Sequence, residues 1–154
     1  LLIEPARRCP NRRFVVAGPQ YPDDIDWPAN VERIEHCPPA DHADFYSASR
    51  FTLNVTRDDL IARGWSPCVR LFVAAACATP IISEIWVGLE QLFEPGREIL
   101  LARDTEDALR HLRDVGPQQA RAIGMRARER VLAEHTAAHR AIELEQHWME
   151  SRRT

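Results

Sequence analysis

Ser66-Pro67-Cys68-Val69-Arg70-Leu71-Phe72-Val73-Ala74-Ala75-Ala76-Cys77-Ala78-Thr79-Pro80-Ile81-Ile82-Ser83 decides the fold. Ser before Pro is a helix start, with Ser at the N-cap and Pro at the first helical position. Val69, Phe72, Val73 and Ala76 then recur at helical intervals, which predicts a helix from Ser66-Pro67 to about Ala78. Pro80-Ile81-Ile82-Ser83 reads as a short β-branched strand. A helix running straight into a buried strand is the repeating unit of an α/β domain.

The same alternation extends both ways. Upstream, seven prolines between Pro5 and Pro39 cut the chain into short elements. Leu1–Arg8 reads as the end of a helix, Arg13–Gly18 as a buried strand and Val31–Glu35 as a weaker one. Ala40–Ser49 reads as a short helix with Phe45 and Tyr46 inward, and Phe51–Val55 as a third strand. Downstream, Trp86–Leu89 is a loop before a short helix near Glu90–Phe93, and Glu98–Leu101 is a last strand. Asp104-Thr105-Glu106-Asp107 offers a cap for a helix through Leu109 and Leu112. Gly116-Pro117 breaks it. Ala120, Ile123, Ala127 and Val131 form the apolar stripe of a long helix, and His135-Thr136 starts another, through Ile142 and Trp148. Strands alternating with helices predict an α/β domain with a doubly wound parallel sheet, helices on both faces and a C-terminal helical tail. Ligands in such sheets bind beyond the carboxyl ends of the strands. The loops Gly18–Tyr21, His36–Pro39, Asn54–Arg57, Ser83–Leu89 and Leu101–Thr105 are therefore the candidate positions.

Composition narrows the chemistry. The chain has 154 residues, which suits one domain. It is 45% apolar and 28% charged with net charge −3, so a general nucleic-acid binder is not expected. No apolar run has the length of a membrane span, and no segment reads as a signal peptide. A cytoplasmic setting follows as the expectation, and the four cysteines show no CxxC spacing. All 20 basic residues are Arg, which excludes a Schiff-base or P-loop lysine. A phosphate would rest on Arg, hydroxyls or backbone N–H groups. Asn54-Val55-Thr56 is a formal glycosylation sequon without meaning in that setting.

Three motifs in order resemble the C-terminal half of two-domain GT-B-type glycosyltransferases, in the spore-maturation-type, glycosyltransferase family 1-like branch. Arg70-Leu71-Phe72-Val73-Ala74-Ala75-Ala76-Cys77-Ala78 is similar to a helix of the form R-x-F-E-A-x-A-C-G. Pro80-Ile81-Ile82-Ser83 matches P-x-I-S. Gly88-Leu89, Phe93, Gly96 and Glu98 match G-L-x-x-x-F-x-x-G-x-E. Glu134-His135-Thr136 with His139-Arg140-Ala141 resembles the family's tail. The resemblance implies one Rossmann-like domain over residues 1–154, with 117–150 as a helical C-terminal segment. It also implies an absent N-terminal glycosyltransferase domain and an absent first strand.

The implied function is binding of a nucleotide-diphosphate sugar donor for transfer to an unknown acceptor, without a metal or other cofactor. The diphosphate would lie at a helix N-terminus, with Ser66 in its first turn and Arg70 supplying charge. Gly18, Asn54 and Ser83 close strand-end loops, the base would sit near His36, and Gly88-Leu89 would approach with its backbone. The catalytic residues are unknown, and the chain alone is not expected to turn over. Val73 stands where the family has a Glu that binds ribose hydroxyls, and Ala78 stands where it has a helix-ending Gly. Val73, with the missing first element, supports the alternative of a degenerate, non-catalytic α/β interaction or regulatory domain, and Ala78 is a milder change. Arg70 also reads as a surface partner for a carboxylate, His36 and His42 as surface loop residues, and Trp86 as core packing or sugar stacking. His135, His139 and His147 lie near Glu143 and Glu145, but the family tail has the same residues without a metal. The sugar, the base and the oligomeric state are not legible.

Overall fold

Proline and glycine spacing sets the element lengths of the first third. The computed structural model describes residues 1–152 apart from Gln20, Arg57 and Ser66, and of Asp58 and Asp59 it describes the backbone alone. Helix α1 (Ile3–Arg8) stops ahead of Pro10, strand β1 (Phe14–Ala17) ends at Gly18, and β2 (Val31–Ile34) ends before Pro38-Pro39. A 3-10 turn, Pro39–Asp41, leads into α2 (His42–Ser47) and β3 (Thr52–Asn54). Then come α3 (Asp58–Arg63), α4 (Val69–Ala76), β4 (Ile81–Ser83), α5 (Leu89–Leu92) and β5 (Leu100–Leu101). Helices α6 (Thr105–Asp114), α7 (Pro117–Glu134) and α8 (Ala137–Ser151) complete the chain.

Every strand pairing is parallel. Phe14 lies opposite Val31, Thr52 opposite Ile81, and Ile82 opposite Leu100. Parallel neighbours require crossovers. Helices α3 and α4 link β3 to β4, and α5 links β4 to β5. The β1–β2 crossover has no helix. Its end is fixed instead by Arg33, whose guanidinium lies over the rings of Tyr21 and Trp27 at 5.8 and 5.0 Å. The Asn30 amide donates to the carbonyls of Ala6, Cys9 and Arg12 at 2.8–3.0 Å and ties the same crossover to α1.

The strands form two ladders, β1–β2 and β3–β4–β5, with no strand pairing between them among the described residues. One core joins the two ladders on one side. Phe14 shares a cluster with Ile82, Leu100, Ala108, Leu112, Ala120 and Ile123. A second cluster holds Leu71, Ala74, Ala75, Ile81, Leu89, Phe93, Ala127 and Val131. Neighbouring Ile81 and Ile82 thus point to opposite faces of β4, as the pleat requires. Apolar burial on both faces is what a doubly wound sheet needs. The stripe Ala120, Ile123, Ala127 and Val131 is buried throughout. No described helix is long and apolar enough to cross a membrane.

Three boundaries differ from the sequence reading. Helix α4 begins at Val69, two residues after Pro67, because Cys68 is extended at ψ 153 and serves as the N-cap. The expected Ser66 cap lies outside the described residues. Helix α3 went unread, although Gly64 (φ 64) closes it by donating its N–H to Leu60 and Ile61, both at 3.1 Å. Strand β5 is shorter than Glu98–Leu101, because Glu98 turns back and its Oε2 accepts the Glu94 N–H at 2.8 Å.

The far end of α4 is closed by a Schellman motif. The Thr79 N–H donates to Ala74 O at 3.0 Å and the Ala78 N–H to Ala75 O at 2.8 Å, with Ala78 left-handed at φ 56. Helix α7 crosses that turn closely. A Cβ on Gly124 would sit 2.0 Å from the Ala78 carbonyl oxygen.

Candidate functional site at the strand ends

β3 and β4 end side by side, with Asn54 opposite Ser83. Both side chains are buried, at 1% and 0% exposure. Buried amides and hydroxyls need partners. The Asn54 Nδ2 donates to Ser83 Oγ at 2.9 Å, and Ser83 Oγ donates to the Glu84 carbonyl at 2.9 Å. The Asn54 Oδ1 accepts from Cys68 Sγ at 3.0 Å and from Arg70 Nη1 at 3.4 Å. One amide therefore ties both strand ends to the start of α4. Burial also closes Asn54 to glycosylation.

Arg70 is the loosest member. Its 3.4 Å contact lies beyond the usual 2.7–3.2 Å range. No described carboxylate side chain forms an ion pair with it, and the side chains of Asp58 and Asp59 lie outside the described residues. A guanidinium with spare donors thus stands one turn from a helix start. Cys68 offers that turn no side-chain cap, and Leu71 N–H makes the first local bond, to Cys68 O at 3.1 Å. The first-turn N–H groups and the positive end of the helix dipole favour an anion there. Val73 lies one turn further along α4 and is half-buried.

The two loops that follow the strands are tied together. The Thr56 N–H donates to Glu84 Oε2 at 2.7 Å. Gly88 is left-handed at φ 101, and its N–H donates to Glu90 Oε2 at 3.2 Å. The Leu89 N–H donates to Trp86 O at 3.3 Å, and the Leu89 side chain is buried in the core. Both backbone donors of Gly88-Leu89 therefore have internal partners.

Two other predicted residues follow the strands of the first ladder. Gly18 follows β1 at φ 135, and its N–H donates to Ile34 O at 2.9 Å, closing the first ladder. His36 is exposed after β2. Neither hydrogen-bonds to the Asn54 cluster. Trp86 is core packing, and its buried Nε1 has no hydrogen-bond partner. Trp148 is exposed on α8.

The tail histidines have structural work. Thr136 and His139 form a reciprocal cap at the start of α8. The His135 ring packs against Phe72 of α4 at 5.8 Å and Phe93 at 6.3 Å. Its Nε2 donates to Leu92 O at 3.2 Å, while Nδ1 accepts from Arg140 at 2.9 Å. This network requires a neutral ring, and burial pushes its pKa below the ordinary histidine value. No group of three or more His, Cys, Asp or Glu among the described residues is placed to hold a metal.

Cys68 joins the cluster without being among the candidates, and Thr56 and Glu84 lie in the candidate loops Asn54–Arg57 and Ser83–Leu89 without being singled out. Cys68 was visible as the residue just before the first apolar helical position. Glu84 was visible as an acid directly after a strand.

Comparison with known proteins agrees with this architecture. Residues 1–146 match the model of a family described as glycosyl transferase-like. The fold is similar to that of sucrose-phosphate synthase from Thermosynechococcus elongatus, with a TM-score of 0.77 and 21% identity. That match covers 97% of this chain and 41% of the synthase, so the chain spans about two fifths of the synthase's length. No curated protein matches the chain.

Proposed function

Because the chain belongs to the glycosyl transferase-like family, we propose that it is the donor-binding half of a glycosyltransferase and holds a nucleotide-diphosphate sugar at the ends of β3 and β4. The single observation that carries this reading is Arg70. It stands at the start of α4 beside two strand ends, and its guanidinium makes one long contact among the described residues, to Asn54 Oδ1. A diphosphate supplies what that geometry lacks: negative charge and several acceptor oxygens. Transfer of the glycosyl group to an acceptor would use groups from a second domain. The three motifs around Arg70, Pro80 and Gly88 support the spore-maturation-type branch, and four free thiols suit a cytoplasmic setting.

The break in the sheet supports the companion proposal about the whole protein. Among the described residues β1–β2 and β3–β4–β5 share a core but no strand pairing. One further strand, from outside residues 1–154, would join them into a single sheet.

Calorimetric titration with UDP, GDP, ADP and CMP, beside the matching nucleosides, tests the donor reading. The expectation is selective binding of one nucleotide. Arg70→Ala should then weaken that nucleotide by about 1.5–3 kcal/mol and leave its nucleoside unchanged. Equal losses for both would remove the phosphate role of Arg70.

A further inference from the structure

Trp65 stands three residues ahead of the α4 N-cap and takes no part in the polar cluster. Its backbone is left-handed at φ 51, an unfavourable conformation for a bulky L-residue. Two contacts hold it there. The Trp65 N–H donates to Val87 O at 2.9 Å. Its ring lies so close to Gly88 that a Cβ there would meet Trp65 Cε3 at 2.6 Å and Cδ2 at 2.8 Å. Gly64 packs on Val87 in the same way, with a Cβ meeting the Val87 Cβ at 3.1 Å. The pair Gly64-Trp65 is thus clipped to Val87-Gly88.

The clip does not bury the indole. Trp65 is 59% exposed, and Val69 and Val87 beside it in the chain and the clip are 74% and 65% exposed. A tryptophan recruited for packing would be covered, as Trp86 is at 4%. Strain kept by surrounding contacts is typical of ligand clamps. The four residues from Trp65 to Val69 span about 14 Å at most, so the indole and the first turn of α4 are within reach of one nucleotide-sized ligand.

We propose that Trp65 is a stacking platform for a ring carried by the diphosphate ligand at Arg70. The platform rests on the donor-binding reading. A nucleobase and a pyranose both offer a flat face to an indole, and the experiment separates them.

The unaltered chain, Trp65→Phe and Trp65→Ala are titrated calorimetrically with UDP, GDP and ADP and with their glucose esters. Circular dichroism melting of each variant checks that it folds. Trp65→Ala should weaken binding roughly fivefold to hundredfold, the usual range for a lost stacking partner. Trp65→Phe, which keeps a ring, should restore most of it. Weakening of diphosphates and esters alike assigns the platform to the base. Weakening of the esters alone assigns it to the sugar. Unchanged affinities in a folded Trp65→Ala overturn the platform and leave the donor site standing. Absence of any nucleotide binding by the unaltered chain overturns both.

Discussion

The two ends of helix α4 are unlike. Its C-terminal end is closed by hydrogen bonds and packing. Ala78 and Thr79 close the Schellman turn, Thr79 Oγ1 donates to Tyr46 O at 2.8 Å, and Gly124 of α7 lies against the turn. At its N-terminal end Cys68 offers no side-chain cap, Val69 is 74% exposed and Arg70 reaches a single long contact among the described residues. A helix stabilised by packing at one end can leave the other unsatisfied, because tertiary burial carries most of its stability. The closed end is therefore where substitutions should cost stability, and the open end is where they should change binding.

The largest expected effect breaks the closed end. Gly124→Ala forces a Cβ against a backbone carbonyl that cannot swing aside, so overpacking should cost about 1–3 kcal/mol or more. Urea denaturation reads it as a lower midpoint. A change below about 0.5 kcal/mol would mean that α7 does not clamp this turn. At the open end, Val73→Glu restores the acid that the family resemblance implies for ribose hydroxyls. Nucleotide affinity should rise about tenfold or more, given 1.5–3 kcal/mol for a hydrogen bond to a charged group. No change in a titration would refute that alignment of Val73. Ala78→Gly should stabilise the closed end by roughly 0.5–1 kcal/mol, since φ 56 suits Gly better than Ala. Thermal melting would show it, with nucleotide binding unaltered.

The smallest effect concerns His135, which presses on Phe72 of the same helix. Its folded pKa is lowered by burial. The unfolded chain then binds the extra proton first, so this contribution is complete above about pH 6.5 and is lost as pH falls through the folded value. Denaturation midpoints between pH 7.5 and 5 should decline, and His135→Gln should flatten the decline. An unchanged slope would show that the ring is not held neutral.

The closed regions were more legible than the open one. Ala120, Ile123, Ala127 and Val131 announce their buried face by spacing alone, and Asp104 announces its cap, accepting the Asp107 N–H at 2.9 Å. These signals are local. Helix α3 was missed because its six residues carry only Leu60 and Ile61 as an apolar pattern, although Gly64 marked its end. The start of α4 was misplaced because Ser-Pro suits a helix start, yet Cys68 stays extended. At the site, Asn54 and Ser83 followed from the rule that ligands gather beyond strand ends. The positions of Cys68 and Glu84 carried a signal, but their bonds to Asn54 and Thr56 depend on the parallel register of β3 and β4 and the return of α4, which one-dimensional patterns do not encode. Gly18 and His36 obey the same strand-end rule but belong to the other ladder. Trp65 escaped notice because its strained clip to Gly88 links residues 23 apart in the chain.

The central claim is that the open end of α4 and the strand ends beside it form one ligand site. Backbone amide NMR of the labelled chain, titrated with the nucleoside diphosphate that binds most tightly, tests this directly. The account predicts shifts concentrated at Val69, Arg70, Val55, Glu84 and Ile85, with Ala78, Thr79 and Gly124 unmoved. Shifts confined to the other ladder, or none at saturating ligand, would contradict it.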